Sequence, residues 1–215
     1  MNVRLWGVLF ILLAGLGSVS WLLSRRQTAP QRAPLQMPSE QALKGVAGTD
    51  TPKLKQATKQ PGRVVVLNTN RGCIEFVLYE KDCPRTTTRI ASLVEGGFYD
   101  GVTFPRVENW VIQTAQAKRD IPPMGLELTK GLTHCRGTVG IARTDNPNSN
   151  TSVFYITLEA TPALDAGYTN FGRVIKGMDV VEKIKPNDKI VKATIRPSTP
   201  ADRNTLKALL RGDSK

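Results

Sequence analysis

The chain has 215 residues, 40% of them hydrophobic, with 18 Gly and 14 Pro, which suffices for one globular domain. Its net charge of +12 suggests nucleic acid, yet residues 63–196 hold 18 Lys+Arg against 14 Asp+Glu, so +8 of the total lies in the flanks. A nucleic-acid domain gathers basic residues on one face among aromatics, and a nucleic-acid partner is therefore excluded.

Leu5–Ser24 are twenty consecutive uncharged, mostly apolar residues between Arg4 and Arg25-Arg26. Roughly 20 such residues span the hydrocarbon of a bilayer as a helix. A cleavable signal peptide has a shorter apolar core, and Trp21-Leu22-Leu23 continues the run past the small residues Ser18-Val19-Ser20. Residues 1–26 are therefore predicted to be an uncleaved signal anchor, with flanking charges too balanced to set its orientation. Residues 27–62 lack periodicity and carry Pro30, Pro34, Pro38, Pro52 and Pro61. They are predicted to form a disordered stem.

The folded domain is predicted over 63–196. Val64–Leu67 and Cys73–Tyr79 flank Asn70-Arg71-Gly72 and read as a β-hairpin. Asp82-Cys83-Pro84 opens a helix with an Ile90, Ala91 and Val94 stripe, stopped by Gly96-Gly97. Further β-like runs are Phe104–Val107, Trp110–Gln113, Thr138–Ala142, Val153–Leu158 and Phe171–Ile175, and a short helix is predicted over Met178–Ile184. Many short strands and two helices argue for a mainly β closed barrel or sandwich. Residues 197–215 are a C-terminal tail with a weak amphipathic patch around Leu206–Leu210 and no assigned role.

Within Phe104–Thr114 one arginine, Arg106, stands among apolar residues, with Gln113 seven positions on. Strand alternation puts Phe104 with Arg106 on one face and Val111 with Gln113 on another. An arginine in such company is costly unless it serves an acceptor or a ligand. Cys73 and Cys83 bracket a strand at a spacing too extended for a bridge, and Cys135 stands apart, so the three are read as thiols without disulfides. His134 is the sole histidine, which argues against a metal site or a His-activated nucleophile; it is read as a structural turn residue. No phosphate-cradling Gly loop is present and no cofactor is expected. One reaction needs none of these groups: rotation about the bond preceding proline, whose barrier of ~18–20 kcal/mol comes from amide resonance. An apolar slot and an adjacent donor suffice for it.

Residues 63–184 resemble the cyclophilin family of peptidyl-prolyl isomerases. The matching segments are Phe104-Pro105-Arg106-Val107 with Val111-Ile112-Gln113; Arg136-Gly137-Thr138; Pro147-Asn148-Ser149-Asn150 leading to Ser152-Val153-Phe154-Tyr155-Ile156-Thr157; and Leu164-Asp165 leading to Phe171-Gly172-Arg173-Val174. The resemblance implies an eight-stranded antiparallel closed barrel capped by two helices, and a prolyl isomerase acting on proline-containing polypeptides. It makes Arg106 the catalytic arginine and Gln113 the glutamine that holds the substrate backbone. Trp110, Val111, Tyr155 and Leu164 would form the proline slot, with Ala142 and Tyr168 lining the groove. Trp110, Val111 and Tyr155 stand where the family usually has Phe, Met and Phe. Val153 replaces a polar Gln, Arg143 a small polar residue, and Ala163 a Trp of drug-sensitive members, so weak cyclosporin binding is expected. A monomer is expected. The alternative is a proline-peptide binding module or scaffold with little turnover. Anchor, stem and layout resemble plant-type single-pass cyclophilins of the Golgi, which places the domain in the lumen of the secretory pathway. Asn150-Thr151-Ser152 is a glycosylation triplet in the loop before Tyr155.

Overall fold

A computed structural model describes residues 62–117, 119–128 and 131–212. The predicted anchor over 1–26 and the predicted stem as far as residue 61 lie outside the described residues. Among the described residues no helix is long and apolar enough to cross a membrane.

Eight strands form one sheet: β1 Val64–Thr69, β2 Gly72–Leu78, β3 Arg106–Glu108, β4 Val111–Gln113, β5 Thr138–Ile141, β6 Phe154–Thr157, β7 Asn170–Lys176 and β8 Ile190–Arg196. The spatial order is β3-β4-β6-β5-β7-β2-β1-β8, and every pairing is antiparallel. The expected closed barrel is corrected here. The end strands β3 and β8 do not pair with each other, and the sheet is an open half-barrel. Between them the irregular segment before β3 meets the one before β8: Phe104 N donates to Asp188 O at 2.8 Å and Ile190 N to Val102 O at 2.8 Å.

That seam also corrects the face assigned to Phe104. Strand geometry begins only at Arg106, so alternation does not extend back two residues. Phe104 is fully buried in the main core while Arg106 lies outside it.

The sheet curls around a core that includes Leu67, Phe76, Ile112, Phe154, Ile156 and Phe171. Helix α1, Pro84–Glu95, turns Ile90, Ala91 and Val94 towards that core. Its Pro84 takes the first turn, where a missing N–H costs nothing. No side chain next to it in sequence caps it; instead the Glu127 carboxylate accepts from the amides of Arg85 at 3.0 Å and Thr86 at 2.6 Å. Helix α2, Met178–Val181, starts from Gly177, whose φ of +84° and close approach to Cys73 O exclude a side chain.

Two elements differ from the sequence reading. β8 has no counterpart among the predicted runs: burial along Ile190–Arg196 does not alternate, and only Ile190 and Ala193 are buried. The segment read as a tail contains helix α3, Pro200–Gly212. Thr199 and Asp202 exchange side-chain-to-amide hydrogen bonds across its first turn, at 2.7 and 3.3 Å, in the manner of a capping box. Leu206 is buried with Val64, Val77, Tyr79 and Leu132, outside the main core. Arg196 ties the helix to the sheet by bonding both Asp202 and Glu75.

Candidate active site

Side chains on a sheet alternate between faces. On β6, Phe154 and Ile156 enter the main core, whereas Tyr155 belongs to a second apolar cluster with Trp110, Val111, Ala142, Val153, Leu164 and Tyr168. Each of the six residues predicted to bind substrate is in this cluster, and Val153 joins them. The cluster is separate from the core inside the half-barrel.

Register aligns the polar part of the site with that cluster. Arg106 pairs with Gln113, Gln113 with Tyr155, and Tyr155 with Gly140. One residue from each of β3, β4, β6 and β5 thus lies in a row across the sheet, on one face. The predicted catalytic pair is in contact: Arg106 Nη1 donates to Gln113 Oε1 at 3.5 Å. The Arg106 guanidinium also lies 5.3 Å from the centre of the Trp110 ring. Its side chain is 21% exposed, so the cation faces both the cluster and solvent.

The structure adds residues to the site that the sequence did not place there. Glu108 accepts from Arg106 Nε at 2.6 Å, two positions along the same strand and hence on the same face. Arg106's hydrogen bond holds the Glu108 carboxyl below the ordinary glutamate range, against a smaller opposing effect of burial. The (i, i+2) spacing on a predicted strand was the available signal.

His134, read as a structural turn residue, is fully buried and bonded at both ring nitrogens. Its Nδ1 is 2.6 Å from Asp165 Oδ1 and its Nε2 is 2.8 Å from the Tyr155 hydroxyl. A carboxylate can only accept, so Nδ1 carries a proton, and in the neutral ring Nε2 accepts from Tyr155. Burial raises the Tyr155 pKa well above the ordinary phenol value, so the hydroxyl remains a donor. Gly140 provides the space: a Cβ there would lie 2.2 Å from both Cζ and the hydroxyl of Tyr155. The phenol thus reaches past Gly140 to His134, leaving its ring in the apolar cluster.

No disulfide joins the cysteines, and among the described residues no group of three or more potential ligands could hold a metal ion. Asn150 is fully buried and its Nδ2 donates to the carbonyls of Met124 and Pro147, both at 3.0 Å. In the folded domain that amide has no room for a glycan.

The sequence profile of the family described as cyclophilin type peptidyl-prolyl cis-trans isomerase/CLD matches residues 64–202. A peptidyl-prolyl cis-trans isomerase of Acinetobacter baylyi is 41% identical over 133 residues, covering 56% of this chain and 71% of that protein. A probable peptidyl-prolyl cis-trans isomerase of Brucella suis is 34% identical over 168 residues, covering 65% and 85%. The fold is similar to the crystal structure of a cyclophilin type isomerase of Cryptosporidium parvum, with a TM-score of 0.60 at 23% identity over 64% of this chain and 99% of the other. A second crystal structure of that protein, in the presence of the dipeptide Ala-Pro, gives a TM-score of 0.54 at 23% identity over 63% of this chain and 99% of the other.

Proposed function

Since the chain belongs to the cyclophilin family and is a peptidyl-prolyl cis-trans isomerase, we propose that the row Arg106–Gln113–Tyr155 and its apolar cluster are where the prolyl bond turns. The observation that carries this is the register placing a partly exposed guanidinium in line with Gln113 and Tyr155. Trp110, Val111, Tyr155 and Leu164 would take the proline ring, which removes apolar surface from water and excludes water from the reacting amide. Resonance opposes rotation by ~18–20 kcal/mol. A guanidinium donating towards the prolyl nitrogen stabilises the twisted, pyramidal amide more than the planar one, and only such differential stabilisation accelerates the step. Gln113 would hold a neighbouring backbone group. No proton is transferred, so no acid–base pair is required.

The Cryptosporidium structure with Ala-Pro supports proline-containing polypeptides as the substrate class. An isomerisation assay on a proline peptide, comparing the full-length chain with Arg106→Ala, tests the site; equal rates would refute it. The second reading, a proline-binding module with little turnover, is favoured by one observation: Glu108 already occupies Arg106 Nε. Peptide binding that survives in a protein with no measurable rate would establish it.

The wider setting is also proposed. Residues 5–24 are long and apolar enough for an anchor, and the layout resembles that of plant-type single-pass cyclophilins of the Golgi, which supports placing the domain in the secretory lumen. A glycan on Asn150 abolished by Asn150→Gln would establish the luminal side, whereas an unmodified Asn150, buried in the folded domain, does not decide the topology. Protease protection in sealed microsomes does so, and digestion without detergent would refute the luminal placement. Ala163, between Pro162 and Leu164 in a short 3-10 turn, lacks an indole donor, so cyclosporin should bind weakly. A monomer is proposed, and light scattering of the full-length chain checks it.

A further inference from the structure

Arg143 follows the cluster residue Ala142 directly, and its guanidinium stacks on the ring of Tyr168, another cluster residue, 4.5 Å from the ring centre. Three backbone carbonyls hold it there: Nε donates to Gly167 at 2.7 Å, and Nη1 to Thr144 at 2.7 Å and Asp145 at 3.2 Å. The loop that supplies two of these carbonyls is itself braced, with Ser149 Oγ accepting from the Thr144 amide at 2.9 Å and donating to Asn146 O at 2.7 Å. The cation is therefore held in one place before any substrate arrives, which lowers the entropic cost of using it.

Its charge is not neutralised. Carbonyls satisfy N–H groups without cancelling a formal charge, and no carboxylate is within ion-pair distance of Arg143 among the described residues. The acidic groups near the site are otherwise placed: Glu108 is on Arg106 and Asp165 is on His134. Asp145 is exposed and offers Arg143 its backbone carbonyl rather than its carboxylate. Arg143 also acts on the site electrostatically. The pKa of the Tyr168 hydroxyl is raised by burial; Arg143 pulls it back, the nearby Asp145 carboxylate raises it again, and Arg106 lowers it by less. One phenol thus feels both guanidinium groups, one paired with a carboxylate and one not.

Building on the site proposed above, we infer that Arg143 is a specificity-determining residue of this isomerase, selecting prolyl bonds with an acidic side chain on a residue next to the proline. A peptide whose proline ring enters the cluster passes its adjacent residues over the rim where Arg143 and Tyr168 stack. A carboxylate there meets a preorganised, unpaired guanidinium, whereas a lysine is repelled by it. The competing structural role, in which Arg143 only staples its loop to Gly167, makes no distinction between peptide charges.

The test uses the full-length chain and peptides that differ only in carrying Glu, Ala or Lys immediately before or immediately after the proline. Both kcat/KM and peptide affinity are measured. At low salt the expected preference for Glu over Lys at one of these positions is roughly three- to tenfold, since partly exposed charge pairs are individually modest. The ratio should shrink towards unity in Arg143→Gln, persist in Arg143→Lys, and fall as salt is raised in the unmodified protein. A ratio that Arg143→Gln leaves unchanged, or no preference at either position in the unmodified protein, overturns the inference. If Arg143→Gln does not fold, the salt dependence and the Arg143→Lys ratio decide. Failure of the site itself would register differently, as an Ala-Pro peptide rate unaffected by Arg106→Ala.

Discussion

The ring of Tyr155 occupies the space in front of Gly140, where a Cβ would lie 2.2 Å from its Cζ and hydroxyl. A side chain at position 140 is therefore incompatible with the ring where it stands. Gly140→Ala must push the phenol out of the cluster or shift β5 against β6, an overpacking that costs about 1–3 kcal/mol. The expected outcome is a lower Tm together with a reduced kcat/KM, since the displaced ring lies in the row with Arg106. A variant with both values unchanged would show that the ring has room to move.

His134 and Tyr155 should be energetically coupled. His134→Leu leaves the buried Tyr155 hydroxyl without an acceptor, which costs about 1–3 kcal/mol. With Tyr155→Phe in the background no hydroxyl is left stranded, and the same histidine change should cost less. A double-mutant cycle in urea is expected to give a coupling of about 0.5–3 kcal/mol. Additive losses would mean that the 2.8 Å contact contributes nothing to stability.

Arg106→Ala is expected to lower kcat/KM by more than tenfold, equivalent to about 1.4 kcal/mol of transition-state stabilisation. Glu108→Gln should act oppositely, because a neutral amide holds Nε less strongly than the carboxylate does at 2.6 Å. The Glu108 pKa is depressed, so the ion pair persists above the ordinary glutamate range and is lost only as pH falls through the depressed value. The rate of the unmodified protein should therefore approach that of Glu108→Gln at acid pH and lie below it at neutral pH. A Glu108→Gln rate lower than that of the unmodified protein at neutral pH would make the glutamate a helper of Arg106 instead of a competitor.

The Glu127 cap predicts an acid-labile start to α1. Burial raises the Glu127 pKa, but hydrogen bonds from Thr86 and Arg85 outweigh it and the net value is lowered. A depressed carboxyl contributes stability that is complete above the unfolded value, about 4.3, and is lost as pH falls through the folded one. Glu127→Gln should therefore lower Tm at neutral pH, by a cap's worth of about 1 kcal/mol, and the difference should narrow in acid. A pH-independent difference would assign the loss to packing.

Leu206→Ala removes the buried side chain of α3 and should cost about 2–5 kcal/mol. The slot lies elsewhere on the molecule, so kcat/KM of the remaining folded protein should stay within twofold. A selective loss of activity would show that α3 supports the site.

The legible parts of this chain were those where neighbours in sequence are neighbours in space. The hairpin β1–β2 and helix α1 follow from alternation, Pro84 and Gly96-Gly97. The six substrate-binding residues and Arg106 with Gln113 came through resemblance, since nothing in local periodicity says that Ala142, Leu164 and Tyr168 meet. What stayed hidden depends on contacts distant in sequence. Glu127 caps a helix that begins 43 residues earlier, at Pro84, and Asp165 orients a histidine 31 residues away. β8 gave no signal because its neighbour β1, rather than its own pattern, defines it. The start of α3 was readable from Thr199-Pro200-Ala201-Asp202, a capping sequence whose meaning the short amphipathic patch downstream obscured.

The two apolar clusters on opposite faces of β4 and β6 carry a consequence for how such a protein can diverge. Ile112, Phe154 and Ile156 are packed into the interior, and a change there disturbs the whole molecule. Trp110, Val111, Val153, Tyr155 and Tyr168 pack on the other side, against one another. Mutations in this outer group can accumulate, and reshape which peptides are accepted, without crossing the threshold below which the domain unfolds. The substitutions at Trp110, Val153 and Tyr155, which depart from the common family pattern, fall in that group. A directed library confined to it should return mostly folded variants with altered preferences, whereas one confined to the interior should return mostly aggregates.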